Sequence, residues 1–150
     1  MGLASLIPLA GCDTLFGTKG VSHYPARTAS IEARRDEEIF ITIHEILFET
    51  GHQDIDEEGL QTISYVADMI RKSNPALITV TGYSDSFGDA AYNKNLSLKR
   101  AQTVVRKLKA HGIDTRVIKV AGMGEENPAI PTQDGVKLLD NRRVVIALKK

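Results

Sequence analysis

The chain has 150 residues, 42% of them hydrophobic and 25% charged, which fits one globular domain with a single core and excludes a disordered chain. Nineteen lysines and arginines balance nineteen aspartates and glutamates, and this formal net charge of zero gives no support for general nucleic-acid binding. Tryptophan is absent and aromatic residues make up only 5%, which argues against a stacking surface for single-stranded nucleic acid.

The N-terminus begins with an apolar block that ends in Leu9-Ala10-Gly11-Cys12. This tetrapeptide resembles the bacterial lipobox, in which the cysteine is lipidated and becomes the mature N-terminus. Because Cys12 is the only cysteine, an intramolecular disulfide and a metal cluster of several thiolates are excluded. We predict that residues 1–12 are a remnant lipoprotein signal. The alternative is a chance cysteine, since no lysine or arginine precedes the block and the block is short for a signal peptide.

The next segment, residues 13–37, mixes glycine, serine, threonine, proline and charged residues without a sustained period. Little apolar surface is available there to offset the entropy of ordering, so we predict a flexible tether. Asp13 directly follows the candidate lipidation site. An aspartate at that position resembles an inner-membrane retention signal of enterobacteria, which leaves both membranes open as the place of attachment.

The folded domain is predicted to span residues 38–150 and to open with a strand over 39–48, which is rich in isoleucine and phenylalanine. His44 and Glu45 lie side by side in this strand, a pair that could serve catalysis or metal binding. No second histidine or carboxylate follows at the spacing of metal ligands. We therefore interpret His44 as a half-exposed strand residue.

A first helix is predicted to run from a cap at Asp54 or Asp56 to about Ser73. Acidic residues open it and basic residues close it, as the helix dipole favours. Its apolar positions recur at the helical period on one face, namely Leu60, Ile63, Ala67 and Ile70. This pattern predicts a helix that packs on the core and carries no chemistry.

The middle of the chain predicts a strand over 76–81, a polar loop from Gly82 onward, and a second helix. Ser97 is placed to cap this helix, which would put Arg100 in its first turn. Gly112 can end the helix in the left-handed conformation. The predicted buried stripe consists of Ala101, Val104, Val105 and Leu108.

The last third of the chain predicts a strand over 116–121, a loop over 122–133, a short helix over 134–140 and a final strand over 144–148. A helix between two strands implies a parallel pair joined by a right-handed crossover. The predicted order of elements is therefore β-α-β-α-β-(α)-β.

A strand, a polar loop and a helix N-terminus in succession often form a ligand site, because loop groups and free N–H donors converge there. Asp85 and Arg100 would lie on either side of one pocket, where they could pair with the ammonium and the carboxylate of a zwitterion. The residues alone leave two alternatives open. Asp85 could simply form the turn, and Arg100 could be an exposed helix residue or the partner of Asp85.

Four motifs in this region resemble the OmpA-like C-terminal domain family, which includes OmpA, the peptidoglycan-associated lipoproteins and the flagellar motor protein MotB. In chain order they are Gly82-Tyr83-Ser84-Asp85 with Gly88, Tyr92-Asn93-x-x-Leu96-Ser97-x-x-Arg100-Ala101, Gly122-Met123-Gly124-Glu125-x-x-Pro128 and Asn141-Arg142-Arg143-Val144. The resemblance covers residues 38–149, with the motifs in the order of the family.

This resemblance implies an α+β fold, a two-layer sandwich in which a mixed four-stranded sheet carries the helices on one face. It also implies that Asp85 and Arg100 hold the zwitterionic end of diaminopimelate in the peptidoglycan stem peptide. Further positions that match family residues at or near the pocket are Asn93, Leu96, Ser97 and Arg142. The resemblance implies no cofactor, no metal and no enzymatic activity.

The resulting prediction is a lipid-anchored periplasmic domain that binds peptidoglycan noncovalently and tethers a membrane, by preference the outer one, to the cell wall. One alternative is an adaptor that uses the same fold to bind another envelope protein. A small hydrolase is disfavoured, because Gly82-Tyr83-Ser84-Asp85-Ser86 lacks the final glycine of a nucleophile elbow. No nucleic-acid partner is predicted.

Overall fold

The computed structural model describes residues 41–150, and the predictions for Cys12, for residues 1–12 and for the tether at 13–37 lie outside the described residues. Two α-helices and four strands make up the described part, together with two single 3₁₀ turns at Thr115–Val117 and Leu139–Asn141. In chain order the elements are β1 (Ile41–Leu47), α1 (Glu57–Ser73), β2 (Leu77–Gly82), α2 (Ala90–Ala110), β3 (Ile118–Gly122) and β4 (Arg143–Lys149).

The four strands form one mixed sheet in the order β1-β4-β2-β3. The last strand, β4, lies inside the sheet and pairs antiparallel with both β1 and β2. β2 and β3 pair in parallel, and α2 supplies the long crossover that such a pair requires. The predicted α+β fold with a mixed four-stranded sheet is confirmed.

The core lies between the helices and one face of this sheet. Side chains along β2 alternate between half-buried and buried, as expected for a sheet with one covered face. The buried positions of β2 and β4 contact the apolar stripes of both helices. Fully buried members of this core are Ile63, Val66, Ala67, Ile78, Val80, Ala101, Val104, Leu108, Val144 and Ile146. Among the helices of residues 41–150, none is both long enough and apolar enough to cross a bilayer.

Helix α2 packs with its backbone directly on the ends of β2 and β3. Gly82 and Gly122 face each other across the parallel pair. A Cβ atom on Gly82 would lie 1.9 Å from the carbonyl oxygen of Ser97, and one on Gly122 would lie 2.5 Å from the amide nitrogen of Leu98. Only glycine fits at either position, so these two residues set how closely α2 approaches the sheet.

The start of α2 differs from the prediction. The helix begins at Ala90, and its cap is Asp89, whose carboxylate accepts the N–H groups of Ala91 and Tyr92 at 2.9 and 3.0 Å. Between the cap and Ser97 the helix contains Tyr92, Asn93, Lys94 and Asn95, polar residues that suggest a loop in the sequence but are compatible with a helix. Ser97 therefore lies inside the helix. Arg100 lies at its middle rather than in its first turn, so the helix N-terminus does not supply the positive potential expected beside Arg100.

Two other boundaries also differ from the prediction. No α-helix forms over 134–140, where the sequence predicted one. The last residues of this segment belong instead to the 3₁₀ turn Leu139–Asn141. β3 begins at Ile118, because Asp114 caps the preceding 3₁₀ turn by accepting the N–H of Arg116 at 2.9 Å. Both errors concern short segments that lack a regular apolar period, and in the second a side-chain cap sets the boundary.

His44 is buried, with 5% of its surface exposed, and the prediction of a half-exposed residue is wrong. It pairs with Ile146 across the sheet and so points to the face that the helices cover. Its ring meets the ring of Tyr65 edge to face, with the centroids 5.7 Å apart. Nε2 is buried and has no hydrogen-bond partner in the described part of the chain, and burial lowers the pKa of His44.

This burial predicts a loss of stability in mild acid. The pKa of His44 in the folded state is lower than its ordinary value of 6.5. Between these two pKa values the unfolded chain binds a proton that the folded chain does not bind. The contribution of His44 to the free energy of unfolding should therefore have its full value above pH 6.5, and the free energy of unfolding should decrease as the pH drops below 6.5. His44→Phe should flatten this part of the pH profile in urea unfolding, whereas the exposed His111→Gln should leave it unchanged. An unaltered profile in His44→Phe would contradict the assignment.

Candidate functional site

The polar loop between β2 and α2 places Asp85 in a buried position, with only 6% of its surface exposed. Its oxygen Oδ2 accepts a hydrogen bond from Nη1 of Arg142 at 3.0 Å and another from the backbone N–H of Leu138 at 3.2 Å. Both bonds fall on the same oxygen, and no hydrogen bond to Oδ1 forms within residues 41–150. Asp85 is thus half of a buried ion pair and retains an oxygen for a further donor.

Arg142 connects this carboxylate to the end of β1. Its Nε donates to the carbonyl oxygen of Phe48 at 2.9 Å, and the N–H of Phe48 donates to the carbonyl of Arg142 at 2.8 Å. The side chain is 8% exposed, so the pair with Asp85 is shielded from solvent on both sides. The structure therefore places Arg142 in the site, where it contacts Asp85 directly.

Arg100 projects from the middle of α2 and is completely buried, with 0% exposure. Its Nε and Nη2 donate to the backbone carbonyls of His52 and Glu49 at 2.8 and 2.9 Å, and its guanidinium lies 5.2 Å from the centre of the Phe48 ring. The remaining nitrogen, Nη1, has no hydrogen-bond partner in the described part of the chain. Arg100 does not pair with Asp85, in contrast to one of the alternatives that the sequence left open.

Burial, together with the nearby charge of Arg142, lowers the pKa of Arg100 to about 10, although the charge of Asp85 acts in the opposite direction. At neutral pH the guanidinium still carries its proton. The three side chains Asp85, Arg100 and Arg142 therefore form one electrostatic cluster. It holds two cations and one anion, and the anion is bonded to Arg142.

Asn93 joins the two loops beside this cluster. It is 1% exposed, and its Nδ2 donates to the carbonyl oxygen of Asp85 at 3.3 Å and to Oε2 of Glu125 at 2.9 Å. Ser97 lies one turn further along the same face of α2. Its Oγ accepts the N–H of Gly124 and donates to the carbonyl of Lys94, both at 2.8 Å. Leu96, the residue before Ser97 in α2, is also buried. Asn93 and Ser97 thus position the loops of the site.

The loop between β3 and β4 is hydrogen-bonded to the loop of Asp85, a contact that the sequence did not predict. Ser86 fixes it to the loop of Asp85, since its Oγ donates to the carbonyl of Gln133 at 2.7 Å and its carbonyl accepts the N–H of Gly135 at 2.9 Å. The side chain of Asn141 bonds both backbone groups of Ile130, at 2.8 and 2.9 Å. Asn141 could have been found from its place beside Arg142, whereas Leu138 contributes only a backbone N–H and leaves no signal in the sequence.

Tyr83 has a different role from that of the neighbouring site residues. Its ring lies beneath the guanidinium of Arg143, with 4.2 Å between the carbon and the ring centre. Arg143 is the first residue of β4 and precedes Val144, a fully buried core residue, and successive side chains of a strand point to opposite faces of the sheet. Tyr83 therefore supports Arg143 on the face opposite to the helices.

The chain matches a known family of proteins. The sequence profile of the OmpA family matches residues 47–142, which is more than half of the chain. The chain belongs to the OmpA family. It is 37% identical over 116 residues to outer membrane protein A of Klebsiella pneumoniae, covering 70% of this chain and 34% of that protein. The chain spans only a third to a half of the length of the curated relatives it matches.

Solved structures of OmpA-like domains share the fold. The cell wall anchor of the type VI secretion system from Pseudomonas aeruginosa superposes with a TM-score of 0.64 at 27% identity, covering 82% of this chain and 87% of that one. The peptidoglycan-associated lipoprotein of Burkholderia pseudomallei superposes with a TM-score of 0.63 at 22% identity, covering 71% and 89%. The relatives in this family are structural and binding proteins rather than enzymes, which argues against the hydrolase alternative.

The buried ion pair should contribute strongly to stability. Arg142→Met leaves the carboxylate of Asp85 buried without its cation and also removes the bond to Phe48, and we expect a loss of about 3–5 kcal/mol in the free energy of unfolding. Lys94→Met is the control, because the pair of Lys94 with Glu126 is more than half exposed and should contribute less than about 1 kcal/mol. Chemical denaturation of both variants gives the comparison. Equal and small losses would show that the buried pair is not structural.

Proposed function

We propose that this domain binds peptidoglycan noncovalently through the diaminopimelate residue of its stem peptide. The observation that carries the proposal is Arg100, a buried cation that has no carboxylate partner within residues 41–150 and whose Nη1 is unsatisfied. Leaving a buried charged donor unsatisfied is costly, so such a group is expected where a ligand supplies the anion. Asp85, which acts on the pKa of Arg100, offers the opposite charge in the same cluster.

A zwitterion fits this cluster better than a simple anion or cation. The end of the diaminopimelate side chain carries an ammonium and a carboxylate on one carbon atom. The ammonium would donate to Oδ1 of Asp85, and the carboxylate would accept from Nη1 of Arg100. Both are charge-assisted bonds, which are stronger than bonds between neutral groups. Arg142 holds Asp85 in place and is not released.

Access to Arg100 requires a local movement. The guanidinium is fully buried beneath the turn at 49–52, whose two carbonyls are its present acceptors. Glu49 and His52 are themselves exposed, and Gly51 between them has a positive φ of 70°. A shift of this turn away from α2 would give the ligand carboxylate access to Nη1 of Arg100.

Two of the structurally similar proteins support the assignment of the ligand. One is named a peptidoglycan-associated lipoprotein and the other a cell wall anchor, and their names refer to the cell wall. Because their identities to this chain are only 22% and 27%, the local chemistry of the site is needed as further support for the ligand. That chemistry consists of the contacts among four residues named by the resemblance, since Asn93 bonds the carbonyl of Asp85, Arg142 bonds its carboxylate, and the charges of Asp85 and Arg142 act on Arg100.

The proposal predicts a preference between two stem peptides that differ at one group. A peptide with lysine in place of diaminopimelate keeps the ammonium but lacks the carboxylate, so Arg100 would lose its anion. Wild type should bind the diaminopimelate peptide about tenfold to a hundredfold more tightly, as expected for one charge-assisted bond. Arg100→Ala should erase most of this preference, and Asp85→Asn should weaken the binding of both peptides. Titration calorimetry on the unacylated 150-residue chain measures all three.

The matched control is Arg106→Ala, because Arg106 lies on the same helix, is exposed and bonds only to Thr103 in the described region. It should bind both peptides as wild type does. A wild type that cannot distinguish the peptides, or an Arg100→Ala variant that keeps the preference, would show that the ligand carboxylate does not bind at Arg100.

We further propose that the domain is anchored to a membrane through a lipid on Cys12. The support is the lipobox-like sequence Leu9-Ala10-Gly11-Cys12 and the composition of residues 13–37, which can act as a tether. Extended at roughly 3.3 Å per residue, such a tether spans several tens of ångströms, enough to separate a membrane from a wall-bound domain. The outer membrane is the preferred site, and Asp13 is the feature that would favour the inner membrane.

Metabolic labelling with a clickable fatty acid tests the anchor in cells that express the chain behind a complete signal sequence. Wild type should carry the label and sediment with membranes, because acylation of Cys12 adds apolar chains that partition into the bilayer. Cys12→Ser should carry no label and should not be processed as a lipoprotein. An unlabelled wild type would contradict the proposed anchor and would leave the wall site unaffected.

A further inference from the structure

Glu125 is an acidic residue beside the site. It belongs to the third of the four family motifs, and the resemblance implies no function for it. Its Oε2 accepts a hydrogen bond from Nδ2 of Asn93 at 2.9 Å, and this is a bond to a neutral amide. No cation lies within salt-bridge distance of Glu125 in the described part of the chain. Its neighbour Glu126 differs in this respect, since it pairs with Lys94 at 3.2 Å.

The backbone around Glu125 is fixed next to the loop of Asp85. Gly124 donates its N–H to Oγ of Ser97 at 2.8 Å, and its carbonyl accepts the N–H of Ser84 at 2.7 Å. The preceding residue, Met123, bonds to the carbonyl of Gly82 at 2.8 Å and continues the pairing of β2 with β3. Glu125 and Asp85 thus follow two neighbouring strands and converge on the same donor, Nδ2 of Asn93.

The charges of the site are balanced only when Glu125 is counted. Arg142 pairs with Asp85, which leaves Arg100 as a cation without an anion and Glu125 as an anion without a cation. Asp85 is buried, whereas Glu125 is half-buried and keeps part of its surface in solvent. An unpaired cation and an unpaired anion in the same region are complementary to a ligand that carries both charges.

From this arrangement we infer that Glu125 is a second carboxylate for the ammonium of the ligand and strengthens the binding of a cationic side-chain end. The inference rests on the proposed binding of diaminopimelate and extends it. Asp85 contacts the ammonium in the interior, and Glu125 contacts it on the solvent side. Asn93 holds both residues in position by its two hydrogen bonds.

Substitution of Glu125 can separate its charge from its hydrogen bond to Asn93. Glu125→Gln removes the charge but keeps an oxygen that can accept from Nδ2 of Asn93. We expect this variant to bind the diaminopimelate and lysine peptides about threefold to tenfold more weakly, with the ratio between the two peptides unchanged, because both carry the ammonium. Glu126→Gln removes an adjacent charge of the same kind and should bind both peptides as wild type does. Calorimetry gives the affinities, and thermal unfolding shows that both variants are folded.

Two outcomes would overturn this inference alone. In the first, Glu125→Gln binds like Glu126→Gln and wild type while the preference that depends on Arg100 persists. In the second, Glu125→Ala binds weakly and Glu125→Gln binds normally, which would make Glu125 no more than an acceptor for Asn93. A wild type that binds neither peptide would instead refute the proposed function, and the role of Glu125 with it.

Discussion

The close contact between α2 and the ends of β2 and β3 is the constraint on which the rest of the structure depends. Gly82 and Gly122 bring the backbone at Ser97 and Leu98 to a distance that no side chain would permit. At this distance the hydroxyl of Ser97 reaches the N–H of Gly124, and Asn93 reaches the loops that follow both strands. A larger separation would break these bonds and release the loops that carry Asp85 and Glu125.

The same contact determines why a charged residue can occupy the middle of a buried helix face. Asn93, Ser97 and Arg100 follow one another at the helical period, so the face that touches the strand ends also carries Arg100 into the interior. Carbonyls of the turn after β1 and the ring of Phe48 replace part of its hydration. This replacement is incomplete at Nη1. The domain thus holds a positive charge that it does not fully satisfy, and this property suits a binding site better than a structural role.

The sequence predicted the elements well where an apolar period was present and less well where side-chain hydrogen bonds decided the backbone. α1, β2 and the interior of α2 have regular apolar patterns. The polar residues before Ser97 resemble a loop and so predict a helix start at Ser97, whereas Asp89 caps the helix. The prediction for His44 is wrong for a related reason. A histidine in a strand gives no indication of which face it occupies, and that choice followed from its pairing with Ile146.

By itself, the sequence determined the α+β class, the order of the elements and the membership in the family, and it is the basis for proposing Asp85, Asn93, Arg100 and Arg142 as site residues. These properties are local or are written in spaced motifs. Only the tertiary structure decided that Asp85 pairs with Arg142 and not with Arg100, and that Glu125 lies beside Asn93. The physical reason is that a charge takes its partners from whatever the fold brings within reach. Arg142 is fifty-seven residues away from Asp85 along the chain, and its contact depends on how β4 enters the sheet.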